Sequence, residues 1–273
     1  MPGPYRVSFW VAPFILVNWL LIAVLDPDPG RGLSETISIG FFLGTLFAHA
    51  ALAAAWTALG PGPLVWRLPL SLVWIFLLAV AIQINLAINN GPTGGALVVG
   101  GCLFGEWLLL QIPLWTIALA FGAHIRHNTK TQAFDPRERQ FGIRQLIIVT
   151  TIVAVVFGSG RLIVPQMAEH MALTKGEGPI FVFLGVAAAI LALPLMLAAL
   201  MRQYALPSVL LVLTLIAIGT ASEVPLLRLV GGGGPGPKVQ DFVAINFFTV
   251  SILLAVLAMV RLNGYSLTRI ARG

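Results

Sequence analysis

The sequence predicts an all-α fold, a polytopic transmembrane helical bundle of about eight spans in two groups of four. Three observations predict it. Of 273 residues, 58% are hydrophobic and only 10% are charged, with a mean hydropathy of +0.95. Soluble domains carry about 25% charged residues, so a soluble core of this size would lack the polar surface to cover itself. The apolar residues come in blocks of roughly 20, the length that crosses about 30 Å of hydrocarbon as helix. The charges collect between those blocks. The longest polar run, His124 to Arg144, holds Arg126, Lys130, Arg137, Arg139 and Arg144 against Asp135 and Glu138.

That run divides the chain. Residues 1–123 form the first four spans and 124–143 a basic cytoplasmic loop. Residues 144–273 form the second four, with a short interfacial helix near 165–174.

Span 1 runs about Val7 to Leu25 and stops at Asp-Pro-Asp-Pro-Gly-Arg-Gly. The apolar N-terminal stretch lacks the Ala-x-Ala site of a cleaved signal peptide, so it reads as a retained span. Span 2, about Thr36 to Leu59, stops at Gly-Pro-Gly-Pro. Span 3, about Leu68 to Ile88, stops at Asn-Asn-Gly-Pro-Thr-Gly-Gly. Such Pro/Gly clusters cannot continue a helix. Span 4, Ala96 to Ala123, is too long for an untilted crossing and calls for tilt or a kink near Pro113. Span 5 has the clearest start: Asp135 as N-cap, Pro136 at the first helical position and Glu138 at the third. It enters the bilayer near Ile143 and ends near Gly158 to Arg161. The next piece is too short and polar to span, and Met167, Met171 and Ala172 share a face suited to the membrane interface. Span 6 runs from Pro179 to near Met201, and a tight turn leads to span 7, which ends at Glu223 and Pro225. After a glycine-rich loop, span 8 runs about Phe242 to Leu262 with Asp241 as N-cap, and the tail is basic.

Charge sets the direction of threading. With both termini cytoplasmic, 11 of the 16 Lys and Arg fall inside, the asymmetry expected of a bacterial inner membrane protein. The net charge of +6 belongs to span ends, where anionic lipid headgroups at the basic loop are the expected partners. The distribution gives no nucleic-acid signature. The single cysteine, Cys102, excludes an intramolecular disulfide and lies in an apolar segment as a packing residue. Phe-Leu-Gly recurs at Phe42–Gly44 and Phe183–Gly185, each early in the second span of its half. Three residues do not establish a repeat.

Glu106 is the one acidic residue inside a span. A charge at the bilayer centre costs roughly 2.5–3.5 kcal/mol on insertion scales, and a functional role is the default hypothesis. The competing reading is a protonated Glu hydrogen-bonded to a neighbouring helix. His49, at similar depth in span 2, is its expected partner, and Asn18 and Gln83 complete a midplane polar cluster. Gly40-x-x-x-Gly44 in span 2 and Gly101-x-x-x-Gly105 in span 4 predict that these two spans approach closely. His124 and His127 have no third ligand, so no metal site is predicted. The run before Lys238 lacks the Gly-Lys-Ser/Thr end of a phosphate loop. The tryptophans fit partly with interfacial belts. No hydrolase motif appears, and no cofactor is implied.

Arg139 to Arg161 holds an aromatic-x-x-Arg-x-Leu start, Phe141 to Leu146, a Thr-bearing apolar helix and a Gly-x-x-Arg end at Arg161. This stretch resembles a segment of uncharacterised multi-pass membrane proteins common in planctomycete bacteria. The resemblance implies bacterial origin and inner-membrane residence, and it carries over no catalytic residue. The functional expectation is a non-enzymatic membrane protein of structural or accessory type. The alternative is a small transporter or proton-coupled carrier built on Glu106 and His49.

Overall fold

The computed structural model describes residues 16–22, 33–88, 95–121, 123–127, 177–200, 210, 214, 216–223, 225 and 238–269. Predicted span 5, the interfacial helix near 165–174, most of the basic loop and the segment carrying the resemblance lie outside these residues. The long helices are α1 (Leu33–Leu59), α2 (Leu64–Ile88), α3 (Gly95–Phe121), α4 (Glu177–Leu200) and α5 (Val239–Leu262). They fall where spans 2, 3, 4, 6 and 8 are predicted. Residues 16–22 and 216–223 are also helical, within predicted spans 1 and 7. By length and apolarity α1, α2, α3 and α5 can each cross a membrane, and α4 carries a shorter apolar run, Phe183–Ala199. The molecule is therefore a helical membrane protein. Its outer faces agree: Phe76, Ile112 and Ile190 are 67%, 69% and 68% exposed, a liability in water and the normal condition in lipid.

The expectation of an all-α chain needs one addition. Strand β1 (Ala123–His127) follows α3, and β2 (Tyr265–Arg269) follows α5. They pair antiparallel, with Ile125 opposite Leu267 and Ala123 opposite Arg269. Ile125 is buried, and Leu267 packs against the core. Pairing satisfies backbone groups that a loose segment at the bundle end would leave to water. A five-residue strand is too short for its alternation to stand out in the sequence.

Helix directions follow from contacts. A Cβ added at Gly40 would meet Ala244, and one at Gly44 would meet Phe248 and Thr249. Four residues along α1 match four along α5, so the two are parallel. The turn at Gly60–Pro63 reverses the chain, with Gly62 at φ 88°, a conformation that only glycine adopts without strain. Six residues separate α2 from α3, and they reach at most about 25 Å. A helix of this length is about 38–40 Å long, so α3 starts where α2 stops and runs parallel to α1. A Cβ added at Gly185, early in α4, would stand 3.3 Å from the carbonyl oxygen of Cys102, early in α3. The far part of α4 is still buried at Ala192, Leu195 and Met196, so α4 runs beside α3 in the same direction. In the first segment, Trp19 Nε1 donates to the Leu77 carbonyl at 2.8 Å. Asn85 Nδ2 donates to that of Ile22 at 3.0 Å, so residues 16–22 run parallel to α2. Thus α1, α3, α4 and α5 point one way, and α2 and residues 16–22 point the other.

Helix α1 is the hub. In its apolar window 72% of residues are buried, against 33% in α2, and it packs on α2, α3, α4 and α5. Its alanines, Ala50, Ala51, Ala54, Ala55 and Ala58, are almost wholly buried, which brings neighbouring backbones close. One apolar core includes residues of both predicted halves. The Gly40/Gly44 stripe serves the α1–α5 contact, not the predicted approach to span 4. A Cβ at Gly105 would meet nothing within 4 Å. Helix α1 does pack on α3, through its alanine side. Helix α3 continues through Pro113.

Candidate polar site within the bundle

Three side-chain contacts fix the depth of every polar group around α1. Arg67 Nη1 donates to the carbonyls of Gly60 at 2.6 Å and Trp56 at 3.3 Å. Seven residues on from Arg67 is Trp74, and seven back from Trp56 is His49. Their rings are 5.8 Å apart, so α1 and α2 keep this antiparallel register. Gln111 Nε2 donates to the Ala54 carbonyl at 3.3 Å. Five residues back on each of these parallel helices stand Glu106 and His49, which therefore share one level. Trp19 bonds beside Leu77, one turn from Trp74, so Asn18 lies within about one turn of the same level.

Of the four predicted residues, Asn18, His49 and Glu106 are buried at 6%, 1% and 1% exposure. Gln83 is exposed and sits nine residues from Trp74 along α2, about 13 Å away in depth. The structure therefore brings three of the four to one level and leaves Gln83 elsewhere.

Sharing a level is not contact. His49 Nδ1 lies 2.8 Å from the Thr45 carbonyl. A carbonyl only accepts, so Nδ1 carries the hydrogen, and Nε2 is left without a partner among the described residues. The imidazole leans on Trp74 of α2. Glu106 follows Cys102 by one turn of α3, on the face that meets Gly185 of α4. Neither carboxyl oxygen of Glu106 has a hydrogen-bond partner among the described residues. His49 thus turns to α2, and Glu106 turns toward the α4 side.

Other polar groups lie close in depth. Thr45 Oγ1, Trp107 Nε1, Gln111 Oε1 and Arg67 Nε are buried without partners among the described residues. Arg67 reads from sequence as a loop cation. In the structure it is 7% exposed and closes the C-terminal carbonyls of α1, where a cation also suits the helix dipole. Trp19 and Trp74 pack against the core, and Trp107 is 4% exposed, so these three contribute to helix packing.

A second polar group lies at the opposite end. Asn246 Nδ2 is 3.0 Å from Thr220 Oγ1 and 3.2 and 3.0 Å from the two oxygens of Glu223. Thr36 Oγ1 donates to Asp241 Oδ1 at 2.9 Å. The predicted N-cap role of Asp241 is corrected: α5 starts earlier, with Lys238 at the cap. Asp241, in the first turn, accepts the Lys238 backbone N–H at 2.8 Å. The glycines of both Phe-Leu-Gly triplets, Gly44 and Gly185, sit at close helix contacts.

No group of three or more His, Cys, Asp or Glu suited to a metal occurs among the described residues. His124 and His127 belong to β1, and the glycine run before Lys238 lies outside the described residues. Comparison with known protein families, curated proteins and solved structures gave no match.

Proposed function

We propose that this chain is a non-enzymatic, multi-pass protein of the bacterial inner membrane that moves protons, alone or with a small solute. Glu106 is the proton-handling group, and His49 and Asn18 assist at its depth. The observation that carries the reading is the Glu106 carboxyl, 1% exposed with both oxygens unpartnered among the described residues. A purely structural buried glutamate holds its place through hydrogen bonds, because an unpaired buried polar group costs about 1–3 kcal/mol and a charge costs more. A group that binds and releases a proton or cation needs free lone pairs.

The structural or accessory reading is the alternative. The density of α1 favours it, since His49 and Glu106 sit in a bundle closed by alanine packing. Reconstituted vesicles with an imposed pH gradient separate the two. Glu106→Gln should abolish gradient decay while the protein still inserts and keeps its thermal stability. Equal decay for Glu106→Gln and wild type would leave the accessory reading.

We propose the eight-span threading as well. Support comes from helix direction: α3 and α4 are parallel, as a single predicted span between them requires. The same holds between α4 and α5. The basic-residue count puts the strand end in the cytoplasm, where the anionic headgroups are. Single cysteines placed in 26–34 and 231–238 should react with an impermeant reagent from the periplasm, and one at Thr129 should not. Reaction of the Thr129 cysteine from outside would invert the scheme.

A further inference from the structure

The polar groups without partners are not spread through the bundle. On α1 they are Thr45 Oγ1 and His49 Nε2, and on α3 Glu106, Trp107 Nε1 and Gln111 Oε1. Asn18 Nδ2 and Arg67 Nε complete the set among the described residues. On the depth scale set by the three register contacts, all fall between Thr45 and Trp56 of α1, a band of about 16 Å. The band starts at mid-bundle and ends at the α1–α2 turn, on the side of β1 and β2.

The other half of the bundle is the opposite in character. Its buried polar side chains are paired, Asn85 with Ile22, Asn246 with Glu223 and Thr220, and Thr249 with Ile245, and the half-buried Thr36 bonds to Asp241. Its helices touch backbone to backbone at Gly40 and Gly44. Aromatic edges fill the rest, with Phe41 and Phe248 at 5.3 Å and Phe183 and Phe242 at 6.4 Å between ring centroids. Close-packed interiors of this kind do not admit a polar species. Native structures rarely leave buried polar atoms unpaired, and such atoms call for an explanation. A run of them leading to one end of a bundle marks the side from which a hydrated species can be received.

We infer that protons or a small polar solute reach Glu106 and His49 from the strand end of the bundle, past Arg67 and Gln111, and that the end where α1 and α5 begin is the closed side. This rests on the proton-handling reading and adds to it the side of access and two residues on the route.

The test uses the full-length protein with Cys102→Ala, in sealed vesicles, and a charged, membrane-impermeant methanethiosulfonate. Pro63→Cys and Lys238→Cys, at exposed positions, mark the two sides. Gln111→Cys should react from the side that labels Pro63→Cys and stay unlabelled from the side that labels Lys238→Cys. Ala50→Cys, which adds one atom at the level of Trp107, should do the same and covers the case in which Gln111→Cys fails to fold. Thr249→Cys should react from neither side. Labelling of the Gln111 and Ala50 cysteines only from the Lys238 side, or from neither side, overturns the route. The vesicle assay with Glu106→Gln is separate: route labelling with unchanged flux would refute the carrier and leave the recess, and the converse would refute the route alone.

Discussion

Gly44 of α1 lies so close to Phe248 of α5 that a Cβ at position 44 would stand 2.7 Å from the Phe248 Cβ and 2.8 Å from the Ile245 carbonyl oxygen. Those neighbours belong to the backbone and the root of a side chain, so neither can swing away. Gly44→Ala should therefore push α1 and α5 apart and cost about 1–3 kcal/mol, the usual range for overpacking. Gly105→Ala, where a Cβ meets nothing within 4 Å, should be neutral or mildly stabilising, since alanine is the better helix former. Thermal unfolding in detergent compares the two, and equal melting temperatures would refute the α1–α5 contact.

Arg67 should matter for stability more than a loop cation does. Its guanidinium satisfies the Gly60 carbonyl at 2.6 Å and shares the Trp56 carbonyl with the backbone N–H of Gly60. Arg67→Met keeps the apolar stem and strands the Gly60 carbonyl, at a cost of about 1–3 kcal/mol. Arg67→Lys should recover part of it, because one ammonium cannot reproduce the planar fork. Unfolding midpoints ordered wild type, Lys, Met are expected, and a Met variant as stable as wild type would refute the cap.

The β1–β2 pairing joins residues far apart in sequence. Ile125 and Leu267 are direct partners, and antiparallel partners hold their Cα atoms about 4.5–5.5 Å apart, within disulfide reach. In a Cys102→Ala background, Ile125→Cys with Leu267→Cys should cross-link under mild oxidation and shift mobility on a non-reducing gel. Ile125→Cys with Lys238→Cys, at opposite ends of the bundle, should not. Absence of the first cross-link would contradict the register.

Helix positions were legible because membrane spans advertise themselves by length and apolarity, and Pro/Gly clusters mark their ends. Pairing was less so. The Gly40/Gly44 motif says that some backbone comes close, but small residues on several helices satisfy it equally, and α5 was not the expected partner. Depth was readable for His49 and Glu106, because counting residues from a span end is counting ångströms. Azimuth was not: which way each side chain turns depends on how the helices are ordered around α1. Gln83 was misread on both counts, since it is exposed and lies about 13 Å in depth from the level of Trp74. Arg67 was obscured by position, since a cation beside a turn looks solvated until the fold shows carbonyls waiting for it.

That separation of depth from azimuth shapes the last prediction, on His49 and Glu106. The two share a level, but the His49 ring lies on Trp74 while Glu106 lies on the α4 side of α3. No hydrogen bond joins them. In stability they should act independently. His49→Ala loses the bond to Thr45 and the contact with Trp74, and Glu106→Gln removes a chargeable carboxyl for a change within about 1 kcal/mol. Without direct contact, the double variant should show the sum of the two effects within about 0.3–0.5 kcal/mol. Flux should behave differently. If both groups serve one proton route, Glu106→Gln already stops it, and adding His49→Ala should lower flux no further. His49→Ala alone should slow it. A double-mutant cycle read both as unfolding midpoint and as decay of a pH gradient tests this. Additive stability with non-additive flux is the expected pattern. A strong coupling in stability would mean that the two side chains meet after all. Unchanged flux in every variant would remove the route itself.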